Sequence, residues 1–364
     1  MNGRPAEVTT QSTAQSTAQS TAKSALLSVP EFRVYSGSRV REVVNGDRAA
    51  VVAAVESAYK AHHAQRTVNP DSYFLRFPEH DADRIIALPA HYTEDSGERV
   101  TGIKWISSFP GNIDRGLARA SAVLVLNDET TGYPVACMEA AAISASRTAA
   151  GAVLALRELD GGKGGRRTVS VIGTGVISEH VLDYLGQSGV EPERILLHDA
   201  HLPHAERLAQ RLRGRFAAPV AVCGSIEEAI TAGQVVVFAT TAGEPHVHDP
   251  RLFAHNPVVL HLSLRDLAPE VVLAAHNVVD DVDHALKART SLHLAELLTG
   301  GREFVRHTLP AILSGAPAPE RDRPVVFSPF GMGILDLAVG NLVHSVLADT
   351  TVPVEDFFQG AERC

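Results

Sequence analysis

The sequence predicts an α/β fold, in which a doubly wound parallel sheet is joined to a smaller β-rich α+β domain. Three observations predict it. A short apolar strand, Thr168-Val-Ser-Val-Ile172, runs into Gly173-Thr-Gly175 and then into a helical pattern with Val176, Ile177, Val181, Leu182 and Leu185 on one face. From Thr168 onward, strand and helix patterns alternate, as in parallel βαβ units. Before Met138, by contrast, strand candidates follow one another in series.

The chain has 364 residues, enough for two domains, and 45% of them are hydrophobic, enough for ordinary cores. A net charge of −9 argues against nucleic acid and anionic membrane as partners. Cys137, Cys223 and Cys364 are widely spaced and odd in number, which suits a reducing, cytoplasmic setting without a disulfide framework. No apolar run is long enough to span a bilayer, and the N-terminus lacks a compact apolar signal segment.

In chain order, residues 1 to about 24 repeat Gln-Ser-Thr-Ala from Gln11, Gln15 and Gln19, a polar tract with nothing to bury and expected to be disordered. Asp47 is placed to cap a helix from Arg48 to about Gln65, with Val51, Val55 and Tyr59 on one face. Strands are expected at Ser72 to Phe77, Arg84 to Leu88, Gly102 to Ser107, Ser121 to Asn127 and Tyr133 to Met138, the last two joined as a hairpin by Asn127-Asp-Glu-Thr-Thr-Gly132. Glu139 to Leu159 reads as a long Ala-rich helix, and Asp160-Gly-Gly-Lys-Gly-Gly165 as a flexible break. Further strands are expected at Arg194–His198, Val220–Val222, Gln234–Thr240, Pro257–Ser263 and Asn277–Asp281, and a late helix from Ile334 to about Leu347. The resulting division is a tail at 1–24, a substrate-binding and dimerisation domain at 25–148 and 326–364, and a dinucleotide domain at 149–325.

The Gly-rich turn carries the most specific chemistry. Gly173 allows a tight turn, and Gly175 lets the backbone approach a pyrophosphate, which the N-terminus of the next helix attracts. Thr174, Val176 and Ile177 complete that turn, and Ser178 stands where a third Gly or Ala usually stands. Glu193-Arg-Ile-Leu-Leu-His-Asp199 reads as the second strand, and a carboxylate at Asp199 suits the ribose hydroxyls of NAD and disfavours the phosphate of NADP. Thr240, Thr241 and Ser263 follow strand ends facing the same cleft, and Gly331 lies in the Gly-rich entry to the late helix. His246-Val-His248 lacks any further ligand set, so no metal is expected.

In the first domain, Lys104 stands inside an apolar strand beside Trp105, the only Trp of the chain, and Arg147 stands in an Ala-rich helix. A desolvated Lys loses part of its basicity and can act as a base or polarise a carbonyl, and an Arg fork suits a carboxylate. With Arg119 these cations point to an anionic small-molecule substrate.

The run Lys104…Gly111-Asn112…Gly116-Leu117…Asp128…Thr131-Gly-Tyr-Pro134…Arg147-Thr-Ala-Ala150, with Gly173-Thr-Gly175 and the Ser328–Asp336 stretch, resembles the ornithine cyclodeaminase/mu-crystallin family. Gly102–Asn112, His261-Leu-Ser-Leu-Arg-Asp-Leu267 and Val279–Lys287 resemble one branch, the dehydrogenases acting on N-(2-amino-2-carboxyethyl)-glutamate in 2,3-diaminopropionate biosynthesis for siderophores and antibiotics. The resemblance implies an NAD-dependent enzyme and a homodimer joined through the β-rich domain. It implies Lys104 and Asp266 as the acid–base pair, in either order of roles, and Arg147 as a carboxylate ligand. Asn69-Pro-Asp-Ser72 and Ala87 depart from the cyclodeaminase pattern, so Arg76 and Arg119 are expected to supply anion binding. A cyclodeaminase, an alanine dehydrogenase, a ketimine reductase or a non-catalytic dinucleotide-dependent binding protein are the alternatives.

Overall fold

Apolar alternation in the first third of the chain produces a seven-stranded sheet, and the computed structural model shows how it is ordered. The elements are β1 (Arg33–Tyr35), α1 (Gly37–Gly46), α2 (Arg48–His63), β2 (Thr67–Val68), β3 (Tyr73–Phe77), β4 (His80–Thr93), β5 (Arg99–Ser108), β6 (Ala120–Asn127) and β7 (Pro134–Glu139). Their order is β1-β7-β6-β5-β4-β2, with β3 also on β4, and every pairing except β1 with β7 is antiparallel. All five expected strands are present. β4 is much longer than the expected Arg84 to Leu88, because it pairs with β5 along ten residues. The Asp47 carboxylate accepts from Ala50 N at 2.9 Å and caps α2, and Asp128 accepts from Thr131 N at 2.8 Å in the β6–β7 turn. β1, β2 and α1 were not foreseen; the strands are two or three residues long and show no periodicity of their own.

The described residues are Gly3, 29–161 and 164–359. The expected disordered tail therefore lies outside them except for Gly3, as do Gly162 and Lys163 of the Gly-rich break. Residues Pro30–Phe357 form one compact unit.

The second sheet is wholly parallel. It is built from α3 (Ala141–Leu159), β8 (Gly165–Ile172), α4 (Val176–Tyr184), β9 (Val190–His198), α5 (Leu202–Leu212), β10 (Val220–Val222), α6 (Ile226–Ala232), β11 (Val235–Phe238), β12 (Val258–His261), α7 (Pro269–Leu273), β13 (His276–Val279), α8 (Val282–Ala285), α9 (Ser291–Thr299), β14 (Val305–Thr308), α10 (Leu309–Leu313), β15 (Val325–Phe327) and α11 (Gly333–Leu347). The order is β10-β9-β8-β11-β12-β15-β13-β14. β11 (Val235-Val-Val-Phe238) and β12 (Val258-Val-Leu-His261) are buried along their whole length, as is the second half of β8 from Val169, because helices cover both faces of such a sheet. The winding reverses between β8 and β11, so the ligand crevice of a doubly wound sheet lies at the carboxyl ends of those strands.

β14 and β15 escaped the sequence reading. Val325, Val326 and Phe327 are fully buried between β12 and β13, and three apolar residues are too few to show a period. The boundary drawn at 325/326 falls inside β15. Directly after β15 the chain turns through Ser328–Met332 into α11, which packs on β4, β5 and β6 of the first sheet. The last strand of one sheet and the helix that backs the other are thus separated by only five residues. Among the described residues, no helix is long and apolar enough to cross a membrane.

Candidate active site

Strand alternation sets one wall of the cleft. On β3, β4 and β5 the residues Phe74, Arg76, Arg84, Ile86, Leu88, Lys104 and Ile106 share a face, in cross-strand rows Leu88–Lys104, Ile86–Ile106 and Arg84–Ser108. With Ser144 and Arg147 of α3, and Leu264, Arg265, Ala288, Phe330 and Gly331 opposite, they line a cavity of about 310 Å³.

At one end, Lys104 is 2% exposed and its Nζ donates to Asp336 Oδ2 at 2.6 Å and to Ser144 Oγ at 3.3 Å. Arg147 Nε donates to the other oxygen of Asp336 at 3.2 Å. Asp336 is in the first turn of α11 and has no exposed surface. Burial lowers the Lys104 ammonium to about 8; Asp336 pulls the other way, and the charge of Arg147 adds to the lowering. A lysine so placed exchanges a proton near neutral pH. The main chain of Gly331 comes close to the Arg147 fork: at φ +93, a Cβ there would lie 2.8 Å from Arg147 Nη1. Gly331 N and Phe330 N donate to the buried Asp280 carboxylate at 2.7 and 3.0 Å, which fixes this loop.

The other end holds arginines with no counter-charge. Arg76, Arg84, Arg119 and Arg265 form no ion pair with a carboxylate among the described residues. Arg76 lies over the Phe74 ring; Arg119, expected as a substrate ligand, does not itself line the cavity and donates to Ser108 Oγ at 2.9 Å behind it. Burial disfavours the charge of Arg84, and so do Arg119, Arg76 and Arg265 around it. In a chain of net charge −9 this local excess of cations marks an anion site.

The dinucleotide crevice is formed as the motif demands. Gly173 has φ +82, and a Cβ on it would meet Ala239 O at 2.7 Å, so only glycine fits between β8 and the end of β11. No atom lies within 4 Å of a Cβ built on Gly175, which leaves the turn open in front of α4. Thr174 is buried, Val176 is exposed on the rim and Ile177 packs on the core. Ser178 Oγ donates to Gly173 O, closing the turn. Asp199, at the end of β9, accepts from Thr174 N and Oγ1 at 2.8 Å and from His201 N at 2.9 Å. Burial opposes its charge, yet these donors hold it below the usual carboxylate range. Thr240 lies against Gly173, Thr241 is exposed beside it, and Ser263 follows β12. A dinucleotide fits this cradle.

Asp266, expected as half of an acid–base pair, lies enclosed behind the cavity wall. It does not line the cavity and has no exposed surface. Its carboxylate accepts from Thr240 Oγ1 at 2.5 Å, from His246 Nε2 at 3.0 Å and from Ser263 Oγ, and lies 3.2 Å from His261 Nε2. Burial raises its pKa, but these partners outweigh burial and hold it far below the usual range. His246 is engaged here too, and no group of three potential metal ligands occurs among the described residues.

Sequence reasoning missed Asp336, Arg84 and Arg265. For Arg84 a signal existed: the period of two through Arg84, Ile86 and Leu88 gives it the same face as the cavity lining. For Asp336 the only signal was an acid at the start of a highly apolar helix.

The ornithine cyclodeaminase/mu-crystallin family model matches residues 32–350. N-((2S)-2-amino-2-carboxyethyl)-L-glutamate dehydrogenase of Staphylococcus aureus is 32% identical over 315 residues, covering 83% of this chain and 92% of that protein. Among solved structures, Δ1-pyrroline-2-carboxylate reductase of Thermococcus litoralis, in complex with NADH and L-proline, superposes with a TM-score of 0.81 at 22% identity, over 89% of this chain and all of that one. An archaeal alanine dehydrogenase dimer with bound NAD gives 0.78 at 22% identity, over 90% of this chain and all of that one.

Proposed function

The chain belongs to the ornithine cyclodeaminase/mu-crystallin family and is an NAD-dependent oxidoreductase of amino acids, and we propose that its reaction is the oxidative hydrolysis of N-(2-amino-2-carboxyethyl)-L-glutamate. The products are 2-oxoglutarate, L-2,3-diaminopropionate and NADH. One observation carries this reading: a single cavity has a lysine of near-neutral pKa beside Arg147 at one end and unpaired arginines at the other. The substrate has three carboxylates, and the Staphylococcus aureus relative named for this compound is 32% identical. The arginines would repel the cationic side chain of ornithine.

Gly173, Gly175 and Asp199 would hold NAD, which when bound would supply the hydride acceptor for chemistry at the glutamate Cα. Arg147 binds the α-carboxylate with its fork while Asp336 holds the guanidinium in place. Neutral Lys104 takes the proton from the secondary amine as its C–N bond becomes an imine. Lys104 then assists a water that adds to the imine carbon, and the C–N bond of the carbinolamine breaks to release the two products. Asp266 acts at a distance, by holding the β11 and β12 loops together.

The outer face of the first sheet supports the homodimer that the resemblance implies. Tyr73, Leu75, Trp105 and Val123 stand exposed there, with Trp105 41% and Tyr73 74% accessible. We place substrate binding and dimerisation in the part before about residue 149 and after β15, and NAD binding in the part between. Cys137 and Cys223 are free thiols, in keeping with the cytoplasm. The product is the diamino acid that siderophore and antibiotic assembly would draw on.

The test mixes purified protein, NAD⁺ and the synthetic substrate, and follows NADH absorbance with assays for 2-oxoglutarate and diaminopropionate. Equal yields of all three support the reading. No NADH with this compound, but turnover of alanine or a cyclic imine, would replace it.

A further inference from the structure

The arginine-rich end of the cavity has two walls, one from each sheet. Arg84 stands in the cross-strand row with Ser108, two rows from the Leu88–Lys104 row, or about 14 Å along the strands at two residues per row. Its side chain makes no hydrogen bond or ion pair among the described residues, although the residue is half-buried. Arg76 is its cross-strand partner on β3, and Arg119 is held nearby on Ser108 Oγ.

Arg265 comes from the opposite wall, on the loop after β12, and its position is built rather than incidental. Its Nε donates to Arg289 O at 2.9 Å and its Nη2 to Ala288 O at 2.7 Å. Ala288 and Arg289 both have φ +55, a left-handed conformation that side chains other than glycine adopt only where the surroundings impose it. On the other side of Arg265, the side chain of Asp266 is pinned by Thr240, His246 and Ser263, and its carbonyl accepts from His246 N and Val247 N at 3.0 and 2.9 Å. Leu264 O accepts from Ser291 N at 2.8 Å. Every neighbour of Arg265 is anchored, while its Nη1 has no partner among the described residues and the side chain lines the cavity.

We propose that Arg84 and Arg265 close from opposite walls on a distal carboxylate of the substrate, making this end of the cavity a subsite that selects polyanionic amino acids over those with neutral or cationic tails. This rests on the cavity being the substrate site of an amino-acid oxidoreductase, as proposed above. Two forks on facing walls can each hold one edge of a carboxylate, and no acid among the described residues pairs with either cation. Asp266 is on this view a positioning residue: it fixes the loop that aims Arg265.

The experiment is calorimetric titration of the NADH-loaded full-length protein with N-(2-amino-2-carboxyethyl)-L-glutamate and with N-(2-aminoethyl)-L-2-aminobutyrate, which lacks both distal carboxylates. Arg84→Gln and Arg265→Gln are each expected to weaken the tricarboxylate at least tenfold and the monocarboxylate less than twofold. Arg84→Lys, which keeps the charge without the fork, is expected to fall between Arg84→Gln and the parent. Unchanged tricarboxylate affinity in both Gln variants, or equal weakening of both ligands, overturns the proposal. If the parent protein binds neither compound, the proposed substrate is wrong and the subsite is judged with citrate. Citrate binding that both Gln variants weaken tenfold upholds the subsite, and citrate binding that is absent or unaffected refutes it.

Discussion

Asp336 Oδ2 lies 2.6 Å from Lys104 Nζ although 232 residues separate them, and its other oxygen takes Arg147. The pair joins the start of α11 to the middle of β5; Asp336 offsets part of the loss of basicity that burial imposes on the lysine, and it holds the arginine.

Lys104 must be neutral to accept a proton, so kcat/KM is expected to rise about tenfold per pH unit up to about 8 and then level. Asp336 favours the charged form, so Asp336→Asn should move that midpoint to lower pH. It should also cost about 3–5 kcal/mol of stability, because two buried cations lose their anion. Stability of the parent has its own dependence. Between about 8, where Lys104 titrates when folded, and its ordinary value near 10.5, the unfolded chain binds more protons, so stability contributed by this group rises with pH across that window. A pH–rate profile and melts at several pH values check both signs.

Lys104→Ala should lower kcat by about 10²–10⁴ with little change in NADH affinity. Asp266→Asn should act chiefly on KM, through the loop that carries Arg265. Initial-rate kinetics of the two variants separate the roles, and a kcat loss in Asp266→Asn as large as in Lys104→Ala would return Asp266 to the acid–base pair.

Gly173→Ala places a methyl against Ala239 O at a positive φ. A loss of about 1–3 kcal/mol is expected, together with at least tenfold weaker NADH binding, since the turn must open to relieve the clash. Thermal melts and fluorescence titration read the two effects.

Gly331→Ala drives a methyl toward Arg147 Nη1, at a distance of 2.8 Å before relaxation. The guanidinium swings away from its carboxylate-binding pose, so KM for the substrate should rise about tenfold while NADH affinity holds. Steady-state kinetics and NADH titration make the comparison.

Trp105→Glu puts a charge on the exposed apolar face of the first sheet. The dimer is expected to dissociate at micromolar concentration, with the fold intact by circular dichroism; sedimentation velocity on parent and variant decides it.

Local pattern alone carried the Gly173–Gly175 turn, the strand run into it, Asp199 at the end of β9 and the alternation of a doubly wound sheet. Each is a relation between residues close in sequence, where periodicity and backbone sterics act directly. The cations Lys104 and Arg147 stood out for the same reason, as charges inside apolar runs. What the chain could not announce is which charges meet. Asp336 reaches Lys104 only because α11 packs across β4, β5 and β6, Arg84 faces Arg265 only because strand register and the β12 loop bring two walls together, and Asp266 is sealed among Thr240, His246, His261 and Ser263 instead of facing the cavity. Those pairings depend on strand register and helix packing over hundreds of residues, and electrostatics at such contacts is decided by burial, which tertiary structure alone sets.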